Sequence, residues 1–159
     1  MQKVNWAKLV GCVLLCQMAG VIGSFFTMDA IPGWYAGLEK PDLAPPNWVF
    51  APVWISLYAL MGVALYIVWE EGLEKKGVKG ALLVFGAQLV VNAAWSIVFF
   101  GMQSPMAAFF VIILLWALII EALREFYGIS RWAGLALVPY LLWVSFAALL
   151  NFAIWMLNP

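Results

Sequence analysis

No histidine occurs anywhere in the 159 residues. That removes the commonest metal ligand, the usual proton shuttle and the ordinary axial ligand of haem iron. It also removes every Ser/His/Asp hydrolase. Charge is scarce: 8 Lys and Arg face 8 Asp and Glu, and the net charge is zero. Charged residues make up 10% of the chain, against about 25% in a soluble domain. With no basic patch and no RNA-type aromatic motif, nothing here suits a nucleic acid. The two cysteines, Cys12 and Cys16, lie four apart within one apolar run. They would share a helix face with Cα atoms too far apart for easy bridging, and read as small packing residues. No phosphate loop, nucleophile–base pair or metal-ligand spacing is present, so no metal site is expected.

What remains is hydrophobic. Apolar residues reach 67%, and mean hydropathy is +1.01 over the whole length. A membrane helix needs about 20 apolar residues. The expected fold is therefore all-α: a single membrane domain, residues 1–159, of five transmembrane helices. The spans read as about 5–26, 46–69, 78–100, 105–126 and 131–157. Leu9-Val10-Gly11-Cys12 resembles a lipoprotein cleavage box, but Lys8 leaves no apolar stretch before it. The first span is expected to be retained.

The longest non-span segment, 33–54, holds four of the eight prolines, three tryptophans and Tyr35. Lys40-Pro41 and Ala44-Pro45-Pro46 cannot be helix interior, because proline fixes φ and lacks a donor. With aromatics to pack, the segment should fold as a structured loop capping the bundle between helices one and two. Ser104-Pro105 reads as an N-cap followed by proline at the first helical position. Pro139 should kink the fifth span.

Lys and Arg placement sets the orientation. Lys3, Lys8, Lys75, Lys76, Lys79, Arg124 and Arg131 fall on one side of a five-span chain, and only Lys40 on the other. The N-terminus is expected in the cytoplasm, with the Pro/Trp loop and the C-terminus opposite.

Spans two to five carry no deep charge, which argues against an ion-coupled transporter. On span one, Cys12, Cys16, Gly20 and Ser24, with Gly11, Ala19 and Gly23, form a small-residue face. It suits packing within the bundle, or else a dimer seam. On span three, Gln88, Asn92 and Ser96 recur every four residues. Buried polar groups need partners, so this stripe either bonds neighbouring helices or lines a cavity. Of the ten tryptophans, Trp6, Trp69 and Trp132 sit at span ends, as an interfacial belt does. Trp54, Trp95 and Trp143 lie deeper. Together with Tyr58 and Asn92 they would suit a large, flat, apolar ligand with a few polar handles.

These residues resemble the TspO/MBR family, the translocator proteins and tryptophan-rich sensory proteins. The resemblance covers nearly the whole chain. It rests on Trp34-Tyr35, Lys40-Pro41, Pro45-Pro46, Ala51-Pro52-Val53-Trp54 and Leu57-Tyr58. It continues in Gln88-Leu89, Asn92, Trp95, Phe99-Phe100-Gly101, Pro139-Tyr140-Leu141, Trp143, Phe146-Ala147, Leu150-Asn151 and Trp155. It implies a five-helix bundle, often a homodimer, and the absence of the animal cholesterol motif points to a prokaryotic cell membrane. Such a protein binds tetrapyrroles (protoporphyrin IX, haem) and benzodiazepine-site ligands, and senses or handles porphyrins. Tyr35, Trp54, Tyr58, Asn92, Trp95, Trp143 and Ala147 would line the pocket. No cofactor is required; porphyrin is the ligand, and metal-free protoporphyrin suits a chain without histidine. Light-dependent porphyrin degradation through Trp54 and Trp143 is the alternative, and transport of small amphipathic molecules another. Leu43 stands where the family usually has tryptophan. The C-terminal stretch lacks the basic residue of the animal cholesterol motif, so no sterol binding is expected from it.

Overall fold

The computed structural model describes residues 4–159; Lys3, counted above, lies outside them. Among the described residues, five helices are long and apolar enough to cross a membrane, each 24 to 30 residues when the short turns that adjoin it are included. They are α1 (Trp6–Ala30), α2 (Phe50–Glu70), α3 (Val78–Ser96), α4 (Pro105–Ile129) and α5 (Arg131–Leu157). Among the described residues there is no strand. A helix is the natural solution in hydrocarbon, because it satisfies every backbone donor and acceptor internally.

Two helices are extended by wide π turns. α1 runs on through Ile31–Tyr35, and α3 through Ile97–Gly101. The sequence reading stops the first span near Phe26 and begins a loop at Gly33, and the structure corrects this. Pro32 lacks an N–H and would crowd the carbonyl one turn back. The wider turn accommodates it, and the helical run continues to Tyr35. The loop proper begins only beyond Gly37. A short 3-10 turn, Asn47–Val49, leads into α2 with Pro46 at its N-cap. Ser104 caps α4 as its sequence suggests, its Oγ accepting from the Ala107 N–H at 3.3 Å. α5 runs unbroken through Pro139.

The helices form a closed ring. α1 packs on α2 and α3, α3 on α4, α4 on α5, and α5 back on α2. In lipid, water exclusion does not drive helices together; close packing and interhelical hydrogen bonds do. Glycines supply the closeness. A Cβ at Gly62 of α2 would fall 2.5 Å from the Val13 Cα of α1. Cys12, Cys16, Ala19 and Gly23 are buried, so this part of the small-residue face of α1 is used inside the bundle.

The two ends differ. Asn5 donates its backbone N–H to Tyr66 Oη, and Lys8 pairs with Glu70 at 2.7 Å. This end, which holds the Lys75–Lys79 connector, is packed solid around Met61, Val68, Phe85 and Phe126. Phe85 stacks on Phe126 with ring centroids 5.1 Å apart. At the other end, Asn158 meets the loop: Glu39 donates its N–H to Asn158 Oδ1 at 3.0 Å, and Asn158 Nδ2 donates to Glu39 O at 2.9 Å. That end is hollow.

Candidate functional site

Tyr35 is delivered to the hollow end by the π turn, not by the loop. It is buried, with its ring tilted against Phe99 and Phe100. Trp34 meets Phe99 edge-on at 5.6 Å. The π turn of α3 supplies both phenylalanines, so the two widened turns pack on one another. Lys40 fastens this roof. Its ammonium donates to Tyr35 O at 2.7 Å and Leu38 O at 2.9 Å, and lies 4.8 Å from the centre of the Tyr35 ring.

Under the roof is a cavity of about 360 Å³, lined by α1, α2, α3 and α5 with the two π turns. Its size falls within the usual range of small-molecule sites, about 300–1,000 Å³. No charged residue lines it. Trp54 stacks on Tyr58 at 5.4 Å and meets Tyr140 edge-on at 6.2 Å. Trp95 stacks on Phe99 at 5.3 Å. Trp143 lies against Phe50 and Phe146. These walls give a flat, apolar guest broad aromatic faces.

Six of the seven positions singled out from sequence line the cavity: Tyr35, Trp54, Tyr58, Trp95, Trp143 and Ala147. Asn92 does not. It stands one layer behind, 2% exposed, where it accepts from Tyr58 Oη at 2.5 Å and donates to Tyr140 Oη at 3.0 Å. Tyr140 in turn donates to Gln88 Oε1 at 2.9 Å. The polar stripe of α3 thus divides. Gln88 and Asn92 bond neighbouring helices, and Ser96 faces the cavity.

Sequence reasoning missed the whole α1 wall: Gln17, Gly20, Val21, Gly23, Ser24, Thr27 and Ile31. Its only trace in the sequence is the small-residue face, which reads equally as helix packing. Asn151 was missed too. It lines the cavity, accepts from the Trp95 indole at 3.0 Å and donates to Pro105 O at 2.7 Å. Leu43 is exposed on the loop and is not part of the lining, so the departure there leaves the walls intact.

Part of the polar capacity inside is spent. Ser24 and Thr27 turn their hydroxyls onto their own helix, at Val21 O and Ser24 O. Trp95 is committed to Asn151. Among the described residues, the buried side-chain polar atoms without a partner are Gln88 Nε2 and Trp143 Nε1. Of these two residues, Trp143 lines the cavity. The chemistry on offer is aromatic surface with few polar groups, the Ser96 hydroxyl among them, and no acid–base pair. Among the described residues no cluster of His, Cys, Asp and Glu could hold a metal.

Fold and cavity together define a class: a five-span, all-α membrane protein with an aromatic chamber beneath a fastened loop. The chain belongs to the TspO/MBR family, whose model matches residues 12–156. It is 46% identical to the tryptophan-rich protein TspO of Archaeoglobus fulgidus, over 98% of this chain and 99% of that one. It is 36% identical to the tryptophan-rich sensory protein of Cereibacter sphaeroides, over 98% and 94%. It is 35% identical to the translocator protein of Bos taurus, over 96% and 91%.

Proposed function

We propose that the chain binds a tetrapyrrole, metal-free protoporphyrin IX first of all, and serves to sense or handle porphyrins in the membrane. Apolar drug-like molecules of the benzodiazepine-site type would share the cavity. The carrying observation is the chamber itself, walled by Trp54, Tyr58, Trp95 and Trp143, with one unpartnered indole N–H. A flat macrocycle uses the faces; a small turn of the Trp143 ring, whose N–H is otherwise buried, would present that donor to an acceptor on the guest. With no cation in the lining, carboxylates would stay at the rim near Asn47, in reach of water. The names of the relatives, a sensory protein and a translocator protein, suit such a role.

The test is quenching of tryptophan fluorescence by protoporphyrin IX in detergent, for wild type and Trp143→Phe. Saturable quenching in the dark, weaker in the variant, is the expected result. Absence of saturable quenching in the wild type would sink the reading. Trp54 and Trp143 line one cavity, and this favours a second reading, porphyrin breakdown in light. A spectral product that needs both light and Trp143 would add that activity. Coupled transport lacks the intramembrane charges it would use.

The arrangement in the cell follows the same reading. The cationic end faces the cytoplasm of a prokaryotic cell, and the loop and C-terminus face away. A homodimer would form on lipid-facing surfaces, not on Cys12, Cys16, Ala19 and Gly23, which are buried within the bundle.

A further inference from the structure

Four of the residues lining the cavity are exposed: Val21, Asn47, Ala51 and Ile55. All four stand on α1, on the start of α2 or on the 3-10 turn that leads into it. Every lining residue from α3 and α5 is buried or half-buried. Val21 is 48% exposed and Ile55 59%, so each borders both the cavity and the outside of the bundle. The cavity has a mouth, and the mouth is in the side wall.

The path of α1 explains it. A Cβ at Gly20 would meet the Tyr58 ring of α2 at 2.6 Å. One turn on, a Cβ at Gly23 would meet Ser96 Oγ of α3 at 2.9 Å, and one at Gly101 would meet Phe26 at 2.8 Å. So α1 begins against α2 and ends against α3. Gln17 marks the fork, its Nε2 donating to Ile55 O at 2.9 Å. Beyond it, no side-chain hydrogen bond joins α1 to α2 among the described residues. The roof, in contrast, is bonded through Lys40 and Asn158.

We propose that the ligand loads sideways, from the bilayer through the gap between α1 and α2, and not from water through the loop. The inference rests on reading the cavity as a ligand site. From Asn47 to Ile55 the mouth extends about 12 Å along α2, at 1.5 Å per residue. It therefore starts at the interface and reaches into one leaflet of a hydrocarbon core about 30 Å thick. Its rim is apolar apart from Asn47 at the interfacial end. The guest this fits is a flat amphiphile already dissolved in the membrane, ring in the hydrocarbon and polar groups at headgroup level.

The test needs no porphyrin, so it stands or falls apart from the binding reading. Ser24→Cys places a thiol on the cavity wall of protein in phosphatidylcholine vesicles, and wild type, whose Cys12 and Cys16 are buried, reports the background. A bilayer-partitioning maleimide is compared with a membrane-impermeant charged thiol reagent. The maleimide is expected to label Ser24→Cys and the charged reagent to leave it unlabelled. Adding Ile55→Trp or, independently, Ala51→Trp at the mouth should slow labelling about tenfold, the effect of ~1.4 kcal/mol on an access barrier. Adding Asn158→Ala, which loosens the roof, should leave the rate unchanged. Labelling by the charged reagent, accelerated by Asn158→Ala and indifferent to both tryptophans, would overturn the proposal in favour of access through the loop.

Discussion

Trp95 donates its indole N–H to Asn151 Oδ1 at 3.0 Å, joining α3 to α5 across the cavity wall. Trp143 lines the same space, its N–H buried and unpartnered. Two tryptophans of one chamber thus do different work. One holds helices together; the other lends the chamber its ring, with its N–H buried and unpaired.

Trp95→Phe leaves the Asn151 acceptor unpaired and should lower stability by about 1–3 kcal/mol. Trp143→Phe removes a donor without a partner among the described residues. It should leave the unfolding midpoint in place and weaken protoporphyrin binding about two- to tenfold, the worth of one hydrogen bond. Thermal unfolding and fluorescence titration on the same preparations separate the two. Equal losses of affinity without loss of stability would refute the division.

Asn92 holds two tyrosines that belong to different helices. Asn92→Leu fills similar space but leaves the Tyr58 and Tyr140 hydroxyls without it, at a cost of about 1–2 kcal/mol. Ligand affinity should fall as well, although Asn92 does not line the cavity, because Tyr58 is released from its place on the wall. If affinity fell with no change in unfolding midpoint, Asn92 would be a direct ligand contact and its assignment to the second layer would be wrong.

Gly62→Val puts a branched side chain where a Cβ alone would stand 2.5 Å from the Val13 Cα. Backbone cannot yield as a side-chain tip can, so α1 and α2 must separate. A loss of about 1–3 kcal/mol is expected, the ordinary cost of overpacking. Gly11→Ala has open space and should be neutral in the same unfolding assay. A neutral Gly62→Val would show that the α1–α2 contact is looser than described.

Asn158 fastens the loop through Glu39 in both directions, and its Nδ2 also donates to Ile154 O at 2.8 Å. Asn158→Ala should speed amide hydrogen exchange at Glu39 about tenfold or more, while exchange in α2 and α4 stays slow, since local opening need not involve the core. Unchanged exchange at Glu39 would mean that Lys40 alone holds the loop.

Much was legible without coordinates. Five spans follow from apolar runs of bilayer length, and helices follow from the bilayer's refusal to solvate open backbone. Ser104-Pro105 announced the start of α4 through local chemistry alone, as capping does. The deep tryptophans marked a site because an indole in hydrocarbon needs a reason to be there. Local rules failed where a neighbour decided the outcome. The first span reads as ending near Phe26, yet the helical run continues into a π turn, with Trp34 and Tyr35 packed against Phe99. Helical periodicity put Gln88, Asn92 and Ser96 on one stripe, but a stripe carries no information about depth into a cavity. Tyr140 and Tyr58, far apart in sequence, are what turn Asn92 into a strut.

By itself, then, the sequence determined the membrane, the number of helices, the uneven distribution of charge and the aromatic character of the site. Each depends on composition or on spacing within one helix. The tertiary structure alone decided which indole is spent and which is left unpaired, that α1 forms a wall, and that this wall parts from α2 above Gly20. Those are relations between helices. They are set by where glycines let backbones touch and by which distant side chains meet, and no single stretch of chain encodes either.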